Sequence, residues 1–131
     1  MRSVVLAATV AAAALLTPSA AQAAPGYPTT DLLGTYGFGR AEVIAAGGQA
    51  AGLWTDAKVR SGFAGDDLIV TYAPRTAALP AEKQVYTALY NQVADPQAEC
   101  ARVGADGVAR QVWTTFRCRT GVAPNYTLLV R

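Results

Sequence analysis

The chain has 131 residues, with 11 Lys+Arg, 9 Asp+Glu, a net charge of +2, two cysteines and no histidine. That length suits one domain rather than two. The lack of histidine excludes Ser-His-Asp triads, Cys-His dyads, histidine-ligated zinc and histidine-based ribonuclease chemistry, and two cysteines are too few for a Cys-only zinc site.

The first segment reads as an export signal, residues 1–23. Arg2 supplies the positive start, Val4 to Leu16 is apolar apart from Thr9, Thr17-Pro18-Ser19 breaks the run, and Ala21-Gln22-Ala23 is a small-x-small cleavage site. The apolar run is shorter than the roughly 20 residues that span a bilayer, so no membrane span is expected after cleavage. The lone Arg2 does not make a twin-arginine signal. What remains is nearly neutral, which gives little steering toward nucleic acid, and no nucleic-acid partner is expected. In an exported chain the two cysteines are most simply one disulfide, Cys100–Cys118. Closing a loop of that size contributes on the order of 3 kcal/mol.

Residues 24–31 read as an extended leader rich in Pro and Gly, and 32–131 as a single domain without an internal repeat. Strand patterning is expected over Thr35–Ile44, followed by a turn at Gly47-Gly48. Leu53–Arg60 alternates as a second strand, Gly62–Asp67 is a loop, and Leu68–Tyr72 is apolar enough for a central strand that Pro74 stops. Residues 80–94 fit either period, and the Pro80-Ala81-Glu82 start favours a helix. Asp95 and Pro96 open a clearer helix, expected to end at Gly104. A turn at Ala105-Asp106-Gly107 then leads into a long strand, Val108–Arg119, and a hairpin closes on Tyr126–Arg131. The expected fold is mainly β, a small antiparallel sandwich or barrel with one or two short helices and one disulfide; α+β is the alternative.

Alternation supplies the candidate site. With Val112, Phe116 and Cys118 inward, Trp113 falls outward beside Arg117 and Arg119. With Leu53, Ala57 and Val59 inward, Trp54 falls outward beside Asp56, Lys58 and Arg60. Exposed Trp beside Arg is the chemistry of protein-binding hot spots and of sugar-stacking platforms. Burial of both rings under a second layer is the competing arrangement, and the commoner one for tryptophan.

Tyr36 and Phe38 lie in a glycine-rich stretch, Gly34 to Gly39, that matches no phosphate-binding loop. They either pack or present aromatic surface. Arginine is concentrated after residue 100, at Arg102, Arg110, Arg117 and Arg119, as a basic edge or as a complement to the more acidic preceding part. Asp66, Asp67 and Glu99 are the carboxylates a histidine-free hydrolase would use, although nothing in the sequence pairs them. Asn125-Tyr126-Thr127 is a glycosylation sequon.

The sequence therefore suggests an exported, disulfide-stapled, non-catalytic binding module for an extracellular protein, an inhibitor being one form. The candidate contacts are Trp54, Trp113, Arg117, Arg119, Tyr36 and Phe38, with no metal or cofactor. A module for glycan or cell wall is the first alternative, and a small carboxylate-dependent hydrolase the second.

Overall fold

The computed structural model describes residues 27–121 and 124–131. Residues 1–23, expected from the sequence to be an export signal, and the start of the expected leader lie outside the described residues. Eight elements follow in order: β1 (Thr29–Tyr36), α1 (Arg40–Ala50), β2 (Asp56–Ser61), β3 (Asp66–Tyr72), β4 (Lys83–Ala88), α2 (Pro96–Ala109), β5 (Phe116–Thr120) and β6 (Tyr126–Val130). They form two antiparallel sheets of three strands, ordered β1-β3-β2 and β4-β6-β5. The domain is α+β and rich in β, and Cys100 of α2 is bonded to Cys118 of β5.

The chain is a tandem repeat of one β-α-β-β unit, contrary to the expectation of no repeat. The correspondence extends to single atoms. Trp54 follows α1 and donates its indole N–H to the Ala45 carbonyl at 3.0 Å; Trp113 follows α2 and donates to the Gly104 carbonyl at 2.9 Å. Both helices end in the same capping geometry, in which the N–H of Leu53 or Val112 bonds back to the carbonyl of Gly48 or Gly107. The left-handed residue this cap needs is Gly52 in the first unit and Gln111, at φ 61°, in the second.

The spacing that relates the tryptophans also relates Ala41 to Cys100 and Val59 to Cys118, so the first unit carries apolar packing where the second carries the disulfide. Each helix lies on its own sheet and also against the first strand of the other unit. The two indoles meet at the centre of this arrangement, with ring centroids 6.5 Å apart.

Several sequence expectations are corrected. Strand β1 begins at Thr29, inside the stretch read as leader, and Arg40 onward is helix rather than strand. Gly47 and Gly48 are helical, because a side chain at either would collide with a neighbour: the Val85 carbonyl at Gly47, the Trp54 ring at Gly48. Small residues there reflect close packing rather than a turn. Residues 83–88 take the strand period, not the helical one, since β4 must pair with β6. Helix α2 has the expected Asp95 cap, whose side chain accepts from the Ala98 N–H at 3.0 Å, but it runs through Gly104 and Gly107. The Phe116 ring lies over Gly104 and the Trp113 ring over Gly107. Strand β5 is accordingly short, and the expected long strand from Val108 does not exist. Asp66 and Asp67 are strand residues of β3 rather than loop residues. The central strand through Leu68–Tyr72 and the closing hairpin are as expected.

Candidate functional site

Both tryptophans are core. Trp54 is 2 % exposed and Trp113 is completely buried, so neither ring is presented at the surface. The outward assignment fails because Leu53-Trp54 and Val112-Trp113 precede their strands. They leave a helix cap in irregular backbone where the period of two does not apply, and all four side chains are buried. Within the strands themselves the predicted alternation is right: Ala57 and Val59 in β2, and Phe116 and Cys118 in β5, are the less exposed residues.

Tyr36 is also buried. Its hydroxyl donates to Asp106 Oδ2 at 2.9 Å, while the Arg102 guanidinium lies over its ring, 5.6 Å from the centroid. Arg117 forms two hydrogen bonds of 2.7 Å to Glu82, and Arg119 is exposed on the same strand. Arg110 pairs with Asp31 at 3.4 Å. The four arginines singled out after residue 100 are therefore divided between α2 with its cap and β5, and two of them, Arg110 and Arg117, meet carboxylates, so they do not form one basic edge. The Asn125 side chain of the sequon accepts the Tyr90 N–H at 2.8 Å.

Large exposed aromatics stand instead on the β1–α1 loop (37–39), the β2–β3 turn (62–65) and the β4–α2 loop (89–95). Phe38 is 67 % exposed, Tyr90 is 58 % exposed, and Phe63 at the tip of the turn is fully exposed. Their loops are held by hydrogen bonds. The Gly39 N–H donates to Asp66 Oδ2 at 2.8 Å, and the Gly62 N–H to the Gly65 carbonyl at 2.9 Å. Gly65, at φ 141°, sits so close to the Tyr36 carbonyl that a Cβ would collide with it, which fixes the turn beside the β1–α1 loop. In the other unit the N–H groups of Gln92 and Val93 both bond to the Leu89 carbonyl. These frameworks hold the aromatics out from short, closed loops.

Between the β1–α1 and β4–α2 loops lies a groove of about 440 Å³, with Tyr36, Phe38, Arg40, Gln92, Glu99 and Arg102 among its lining residues. In its lining is a buried network. Arg40 makes a two-point pair with Glu99 at 2.9 and 3.0 Å and reaches Gln92 Oε1 at 3.3 Å, while the Tyr86 hydroxyl donates to Glu99 at 3.0 Å. Arg40 and Glu99 are equivalent positions of the two units, so this ion pair, like the indole pair, joins the repeat to itself.

The carboxylates singled out in the sequence all hold structure here. Asp66 fixes the start of α1, Asp67 accepts from Thr35 at 2.6 Å and from Arg60 at 3.2 Å, and Glu99 is engaged by Arg40 and Tyr86. The contacts from Thr35 and then Arg60 hold the Asp67 carboxyl below the usual range. No group of three or more His, Cys, Asp or Glu side chains among the described residues is arranged to hold a metal ion. No described helix is long and apolar enough to cross a membrane.

Burial, with the Asp106 carboxylate as a second cause, pushes the Tyr36 hydroxyl well above its ordinary value; burial and Glu99 do the same for Tyr86. A folded-state pKa raised above the unfolded value of about 10 contributes stability that is complete below that pH and lost as pH rises beyond it. The denaturation midpoint is therefore expected to hold up to about pH 9 and to fall steeply by about pH 11. Tyrosinate absorbance from these two residues should appear only with unfolding. A midpoint independent of alkaline pH would contradict the burial of both hydroxyls.

Compared with known protein families, with curated proteins and with solved structures, the chain finds no match in any of the three. Of the displayed aromatics, sequence analysis singled out Phe38 alone. Phe63 carried a usable signal in Gly62-Phe63-Ala64-Gly65, an aromatic enclosed by turn glycines. Tyr90 was hidden by the helical reading of its segment.

Proposed function

We propose that this is an exported, non-catalytic binding domain that docks to an extracellular protein through Phe38, Phe63 and Tyr90, an enzyme inhibitor being its most concrete form. The observation that carries the reading is the display of three large aromatics on closed, hydrogen-bonded loops, one of them, Phe38, lining a groove. Aromatic anchors dominate interface energetics, and loops already held in place lose less entropy on docking. The disulfide and the export segment fit an oxidising compartment.

The test is capture from the host's own culture supernatant and isolated cell wall on the immobilised, disulfide-bonded protein. A stoichiometric protein, retained by the wild type and lost with Phe38→Ala, Phe63→Ala and Tyr90→Ala combined, is the expected result. Retention on the insoluble wall without a protein partner would instead favour a glycan module. Failure to retain either would overturn the binding reading.

A further inference from the structure

The groove holds one cation that no carboxylate of the described residues pairs. Arg40, Arg60, Arg110 and Arg117 each meet a carboxylate, whereas Arg102 has no carboxylate within ion-pair distance among the described residues. Its guanidinium is held over the Tyr36 ring, which fixes its position without cancelling its charge. The other ionic groups lining the groove already have work: Arg40 and Glu99 bind each other, and Asp95 caps α2 through the Ala98 N–H. Phe38 supplies an apolar wall on the opposite loop, and the volume of about 440 Å³ is enough for a side chain and its neighbour.

We propose that this groove receives an acidic side chain of the partner protein, with its carboxylate on Arg102 and an adjoining apolar residue against Phe38. The inference rests on the protein-binding reading above and specifies its partner chemistry. A planar guanidinium pairs with a carboxylate at two points, and a side chain already stacked on a ring loses little freedom in doing so. Docking would also remove water from the pair, which strengthens it relative to an exposed surface bridge.

The probe is a random peptide library selected on the immobilised, disulfide-bonded protein. Enriched peptides are expected to share an Asp or Glu beside an apolar residue. They should bind Arg102→Gln about 10- to 100-fold more weakly at an unchanged melting temperature, with Arg102→Lys in between. Enrichment without an acidic position, equal binding to Arg102→Gln, or no enrichment at all would overturn the inference. Its failure is separable from that of the parent reading, which depends on whether the combined loop variant loses a captured protein.

Discussion

Replacing Trp113 by alanine is expected to destabilise the domain by about 3–5 kcal/mol, the cost of emptying the site of a fully buried aromatic. The side chain packs over Gly107 and against Trp54, so there is no solvent-facing part whose loss would be harmless. Its removal also leaves the Gly104 carbonyl without the indole donor it accepts from. Trp54→Ala is expected to act in the same direction, since Trp54 makes the equivalent contacts with Gly48 and Ala45. Net stability for a domain of this size is about 5–15 kcal/mol, so the double variant is expected to lose its cooperative transition. Trp113→Phe, which keeps a ring but not the N–H, should cost less than Trp113→Ala. Chemical denaturation of the series checks this, and a loss below about 1 kcal/mol for Trp113→Ala would contradict the central packing of the indoles.

The second large effect is expected at the ion pair that joins the two units. Glu99→Ala would leave the Arg40 guanidinium buried, with Gln92 as its remaining hydrogen-bond acceptor, and would strip the Tyr86 hydroxyl of its acceptor. Removing one partner of a buried pair costs about 3–5 kcal/mol, because the remaining charge has lost both water and counter-ion. Replacing both partners by apolar residues, Arg40→Met with Glu99→Leu, is expected to recover most of that loss. A double-mutant cycle on denaturant midpoints measures the coupling. Additive single effects would mean that the pair is solvated and contributes little.

The repeat explains why these two sites matter together. Corresponding residues of the two units meet each other, Trp54 with Trp113 and Arg40 with Glu99, so one contact is apolar and the other ionic. In an association of identical units the Arg40 position would meet its own copy, placing like charges together. In this single chain the two equivalent positions differ, and Arg faces Glu.

The disulfide pairing, the β-rich composition, the central strand β3, the Asp95 cap and the final hairpin were legible in the sequence, and the structure shows each of them. What was illegible has specific physical causes. Helix α1 contains Gly47 and Gly48, which look like a turn until the Val85 carbonyl and the Trp54 ring are seen to occupy the space a side chain would need. Helix α2 ends at Gln111, a residue type that does not announce a left-handed cap, so Gly104 was a false stop. The repeat was legible in the sequence, in Trp54-Thr55, Arg60 and Gly62 against Trp113-Thr114, Arg119 and Gly121, and was obscured by unlike pairs in the helices and their caps, such as Gly52 with Gln111 and Ala41 with Cys100. Because both helices run on past Gly47, Gly48 and Gly104, Trp54 and Trp113 leave helix caps rather than lying in strands.

The central claim is that the displayed loop aromatics, not the tryptophans, make the binding surface. It is tested most directly by titrating the captured partner against wild type and against the combined Phe38→Ala, Phe63→Ala, Tyr90→Ala variant, with a thermal melt of each. The account predicts a loss of about 100-fold or more in affinity with the melting temperature nearly unchanged, since three aromatic anchors at about 1–2 kcal/mol each would be removed from solvent-exposed positions. Equal affinity of the variant and the wild type would contradict it and place the contact surface elsewhere on the molecule.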